Sequence, residues 1–93
     1  MATIIHEITK HLDHVRKIKI FGSRAKGTHH RYSDVDVAIY LDQPLSDEMA
    51  LYFLKESLED KLIYFFDLLI YDDIKNENLR RHIDEIGIVV YEK

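Results

Sequence analysis

The sequence predicts an α+β domain whose elements follow the order α-β-α-β-α-β-α-β, with about four strands forming a sheet covered by helices. Three observations predict it. Apolar residues recur at three- and four-residue spacing in three segments, as on the buried face of a helix. Between these segments lie short runs rich in Ile, Val, Phe and Tyr, as in strands. Three glycines and one proline in 93 residues leave little room for linkers, so 1–93 is expected to form a single domain.

Ile5, Ile8, Leu12 and Val15 define the first helix, with a cap expected near Thr3. Lys17-Ile18-Lys19-Ile20-Phe21 alternates charged and apolar residues, the pattern of a half-buried strand that stops at Gly22. A short helix is expected from Ser23 to about Lys26, ended by Gly27, and then a polar loop from His29 to Tyr32. Ser33 to Leu41 reads as the second strand, with Val35, Val37 and Ile39 on one face and Asp34, Asp36 and Ala38 on the other.

Asp42-Gln43-Pro44 breaks that strand. Ser46 is the expected N-cap of a helix running to about Lys61, whose buried stripe is Leu51, Leu54, Leu58 and Leu62. Ile63 to Tyr71 reads as a third strand, buried on both faces, with Asp67 in its middle. Asp72 and Asp73 are expected to cap a last helix carrying Leu79, Ile83 and Ile86. Gly87 stops it, and Ile88 to Tyr91 closes the sheet. The pattern leaves open which strands run parallel.

Composition narrows the function. A net charge of −4 provides no general basic footprint for duplex nucleic acid. With no cysteine there is neither a disulfide framework nor a thiolate zinc site. No signal-peptide h-region and no membrane-length apolar run is present, so a cytoplasmic protein is expected. His6, His11 and His14 share no ligand-like spacing on one helix face and read as surface residues, as do Arg80 and Arg81. Tyr52, Phe53, Tyr64, Phe65 and Phe66 are expected mainly in the core, with some of them available as a sticky face for a partner.

The chemistry concentrates between Gly22 and Asp36. Two residues apart on a strand places Asp34 and Asp36 roughly 6.5–7 Å apart on one face. Carboxylates so placed can converge on hard divalent cations such as Mg2+, and two such ions would clamp the attacking and leaving oxygens of an in-line displacement. Gly22 permits close backbone approach, and Ser23 with helix-start N–H groups can hold phosphate. Arg24, Lys26 and Arg31 add positive charge for a triphosphate, and His29 and His30 would lie beside it. Asp67, inside an apolar run, needs a partner: either a metal shared with Asp34 and Asp36 or an arginine. With a raised pKa it could take a proton from an attacking hydroxyl.

Gly22-Ser23-Arg24-Ala25-Lys26-Gly27 followed by Ser33-Asp34-Val35-Asp36-Val37 resembles the signature of the DNA polymerase β-type nucleotidyltransferase superfamily. More narrowly the chain is similar to the minimal nucleotidyltransferases, the MNT or MntA-like antitoxins that pair with HEPN-domain toxins. The closing Glu85-Ile86-Gly87-Ile88-Val89-Val90-Tyr91 also fits, so the resemblance covers nearly the whole chain. It implies a mixed sheet, Asp34 and Asp36 as metal ligands, Ser23 as phosphate contact, and Asp67 as third carboxylate and base. Lys26 stands where the family usually carries arginine, which keeps the charge and loses bidentate geometry. The implied activity is Mg2+-dependent transfer of AMP from ATP to a tyrosine hydroxyl of a HEPN toxin, with which a hetero-oligomer would form. Two alternatives remain open: an antitoxin that binds its toxin without catalysis, and transfer to a small-molecule hydroxyl.

Overall fold

The computed structural model describes residues 1–22 and 34–93. Its sheet contains β1 (Val15–Phe21), β2 (Val35–Leu41), β3 (Phe66–Ile70) and β4 (Ile88–Glu92), ordered β3-β2-β1-β4. Helices α1 (Ala2–His11), α2 (Met49–Lys61) and α3 (Glu77–Ile86) cover it, with a 3-10 turn at Tyr71–Asp73. The α+β class and four-stranded sheet are those expected. The short helix expected from Ser23 lies outside the described residues.

The sheet is mixed. β1 runs antiparallel to β2 and to β4, whereas β2 and β3 are parallel. A parallel pair cannot be joined by a tight turn, and α2 supplies the crossover between β2 and β3.

Alternation along the strands divides the apolar residues between two faces. On one face Ile18, Ile20, Val35, Val37, Ile39, Phe66, Leu68 and Ile70 pack against Ile4 and Ile8 of α1 and Leu54 and Leu58 of α2. Ile8, Leu54 and Leu58 are fully buried, each contributing on the order of 1.5–3 kcal/mol. On the opposite face Phe21, Ala38 and Tyr40 pack against Ile83 of α3, with Leu69, Tyr71 and Leu79 at the margin. Asp36 and Asp67, in register with Phe21 and with each other, belong to this second face, and Asp34 precedes β2.

One charge is built into the larger core. Glu7 of α1 is buried, where it accepts hydrogen bonds from Lys61 and from Ser57 Oγ at 3.3 Å and meets His11 Nε2 at 3.2 Å. The Lys61 hydrogen bond holds the Glu7 carboxyl below its ordinary value in spite of its burial.

Several local expectations are corrected. α1 starts at Ala2 with no side-chain cap, so Thr3 lies inside the helix, and Val15 belongs to β1. Asp47, not Ser46, binds the start of α2, its Oδ1 accepting from the Met49 N–H at 2.9 Å. Asn76 caps α3 by accepting from the Leu79 N–H at 3.1 Å, because Asp72 and Asp73 are used in the 3-10 turn before it. Of the aromatics expected in the core, Phe66 is buried, whereas Tyr52, Phe53 and Phe65 are exposed. β3 is five residues long and forms the sheet's border, so it is not buried throughout.

Candidate active site

β1 ends at Phe21, which stands opposite Asp36 in the antiparallel register. Gly22 follows with φ +74°, a conformation that side-chain-bearing residues rarely adopt. Built onto Gly22, a Cβ would collide with the Asp36 carboxylate. The backbone angle favours glycine here, and a side chain would in addition displace the Asp36 carboxylate.

Asp36 is the second residue of β2, and in the parallel register it pairs with Asp67, the second residue of β3. Adjacent strands lie about 4.8 Å apart, so the two side chains leave neighbouring backbones in the same direction. Asp34 precedes β2 and is exposed, and Asp36 is half-buried. α3 packs on this face at Phe21, Ala38 and Tyr40, with Leu69 at the margin, so its cover reaches the strand end that pairs with Asp36.

Asp67 is exposed, against the expectation of an aspartate buried in an apolar run. The burial of β3 alternates: Phe66, Leu68 and Ile70 turn into the larger core and Asp67 turns away from it. Among the described residues no arginine forms an ion pair with Asp67.

The electrostatics centre on Asp36. Partial burial pushes its carboxyl above the ordinary value, and the nearby charges of Asp67 and Asp34 push it the same way. His82 acts in the opposite sense. This histidine comes from α3, and its ring meets Phe21 edge to face, with centroids 6.3 Å apart and planes at 80°. His82 is not among the site residues expected from the sequence, although its spacing carries a signal. His82 is three residues after Leu79 and four before Ile86, on the inward stripe of α3.

Among the described residues, no three His, Asp or Glu side chains are gathered closely enough to form a metal site. Asp34, Asp36 and Asp67 stand side by side without converging. Their chemistry nevertheless fits a hard cation: they are oxygen donors, and a cation would favour the ionised form that burial and then the neighbouring carboxylates disfavour at Asp36. Ser23, Arg24, Lys26, Arg31, His29 and His30, expected around the phosphates, lie outside the described residues.

Comparison with known proteins gives this arrangement a lineage. A probable protein adenylyltransferase MntA from Haemophilus influenzae is 40% identical over 74 residues, covering 78% of this chain and 63% of that protein. The chain thus spans less than two thirds of that relative's length. A chain in a toxin-antitoxin crystal structure with AMP-PNP superposes with a TM-score of 0.88 at 26% identity, over 99% of this chain and 73% of that one. The same fold occurs in the complex of a tri-AMPylated Shewanella oneidensis HEPN toxin with an MNT antitoxin, at TM-score 0.79, 21% identity and 99% and 69% coverage. The family model for polymerase beta nucleotidyltransferases matches residues 3–93, from α1 through the aspartate-bearing strands to β4, and the chain belongs to that family.

Proposed function

We propose that the protein transfers AMP from ATP to a hydroxyl of a partner HEPN toxin, a tyrosine by preference, and acts as that toxin's antitoxin. The observation that carries this reading is the register of Asp36 against Asp67 beside Asp34, in a chain of this family. The relative named as a probable protein adenylyltransferase and the AMP-PNP complex support the donor and the class of acceptor.

In this reading Asp34, Asp36 and Asp67 hold Mg2+, which when bound supplies charge neutralisation for the phosphates. Gly22 keeps the space beside Asp36 clear, and Ser23, Arg24 and Lys26 bind the phosphate chain. Asp67, exposed at the sheet's border, accepts the proton of the incoming hydroxyl. The hydroxyl oxygen bonds to the α-phosphorus, the bond from that phosphorus to the bridging oxygen breaks, and pyrophosphate departs. Positioning and electrostatics carry the rate, as in other phosphoryl transfers.

The test is incubation with α-labelled ATP, Mg2+ and the cognate toxin. Label on a toxin tyrosine with wild type, and background with Asp36→Asn, is the expected result. No label from either protein would refute the transfer. Full rescue from the toxin by an Asp34→Ala/Asp36→Ala variant would replace catalysis with occlusion.

A further inference from the structure

We propose that His82 is a nucleotide-contacting residue, donating a ring N–H to the phosphate chain of the nucleoside triphosphate at the acidic end of the sheet. The assignment rests on the nucleotidyltransferase reading and adds a residue from a different element to it.

The geometry begins at Phe21. Its backbone pairs with Asp36, its successor is Gly22, and its ring is the one His82 meets edge to face. His82 therefore stands on the same sheet face as Asp36, one step across from the turn that ends β1. Phe21 holds its ring, and the next residue, Ile83, anchors this turn of α3 by being fully buried against the sheet. His82 is partly buried, neither sealed in the core nor fully exposed.

Phe21 links the two residues, meeting His82 with its ring and Asp36 across the strand register, yet among the described residues His82 and Asp36 do not close to an ion pair. Ionised carboxylates offer oxygen lone pairs and no hydrogen, and so do phosphates. Asp34, Asp36 and Asp67 therefore cannot hydrogen-bond a phosphate oxygen directly. An imidazole carries an N–H in every tautomer, and His82 brings one to this end of the face.

The competing role is packing alone, with His82 serving only as an aromatic neighbour of Phe21. The variants separate the two. His82→Phe keeps a ring against Phe21 and removes both nitrogens. His82→Asn and His82→Gln restore an N–H near the place of one or the other ring nitrogen.

Equilibrium binding of AMP-PNP with Mg2+, and of inorganic tripolyphosphate with Mg2+, is measured on the whole chain by calorimetry. His82→Phe should weaken both about tenfold, the scale of one hydrogen bond to a charged acceptor. Either His82→Asn or His82→Gln should recover part of the loss, and the melting temperatures of the binding-impaired and recovered proteins should agree. Wild-type affinity in His82→Phe overturns the assignment and leaves the transfer reading intact. A loss for AMP-PNP without one for tripolyphosphate overturns it too, since the contact would then be to the nucleoside. A wild-type protein that binds both probes but labels no acceptor sinks the transfer reading and spares His82; one that binds neither probe sinks both.

Discussion

Gly22 and Asp36 compete for one space: the Asp36 carboxylate lies where a Cβ on Gly22 would sit, so any side chain there must push the carboxylate aside. Gly22→Ala should therefore destabilise the fold by about 1–3 kcal/mol, from backbone strain at φ +74° together with the collision. The collision alone should vanish in Gly22→Ala/Asp36→Ala. A double-mutant cycle on urea midpoints measures it, and additive effects would contradict the contact.

Asp36 is held protonated more tightly when folded, because burial and the charges of Asp67 and Asp34 oppose its ionisation. The sign follows from linkage. A carboxyl whose folded pKa is raised weakens the fold increasingly as pH climbs through that value, and costs nothing below its ordinary range. Asp36→Asn should accordingly melt a few degrees higher than wild type near pH 7, with the difference closing as the solution is acidified. Label transfer by the same variant should fall to background, so that stability and activity move in opposite directions.

Asp67→Asn separates base from scaffold. An exposed side chain on a border strand can be neutralised with little effect on the melting temperature, within about 0.5 kcal/mol. Removal of a general base should slow transfer by about 100- to 10,000-fold while AMP-PNP still binds. Unfolding of this variant would show that Asp67 is structural.

Glu7 and Glu59 make the fold acid-sensitive. Lys61 holds Glu7 below its ordinary value, and Glu59 is held down by Lys55 Nζ at 2.6 Å and then by the Phe66 N–H at 2.8 Å. Both depressed carboxyls stabilise the protein fully above their unfolded pKa of 4.5, and that stabilisation is lost as pH falls through the folded values. Urea midpoints measured from pH 6 to pH 3, chosen as roughly the carboxylate titration range, should therefore decline toward acid. Glu7→Gln should start lower and decline less.

Much of this was legible beforehand, for identifiable reasons. Val35, Val37 and Ile39 share the core face because strand geometry has a period of two, and Leu54 and Leu58 are buried because helix geometry has a period near four. The pairing of Asp36 with Asp67 depends on which strands become neighbours, and no local pattern carries that information. The apolar run from Tyr64 to Ile70 conceals its own alternation, since Phe65 just outside β3 is 65% exposed while Phe66 is 2% exposed. His82 carries no local mark of a site residue because its ring partner, Phe21, is distant in the chain and the two meet only across the folded sheet.

The alternation in β3 has a consequence for chemistry made elsewhere on the strand. Phe66, Leu68 and Ile70 seat in the larger core, and a slip of one residue against β2 would expose all three while driving Asp67 inward. The heavy cost of that slip keeps Asp67 aligned with Asp36. Greasy residues that never meet a substrate thus act as the gauge by which two carboxylates are set abreast.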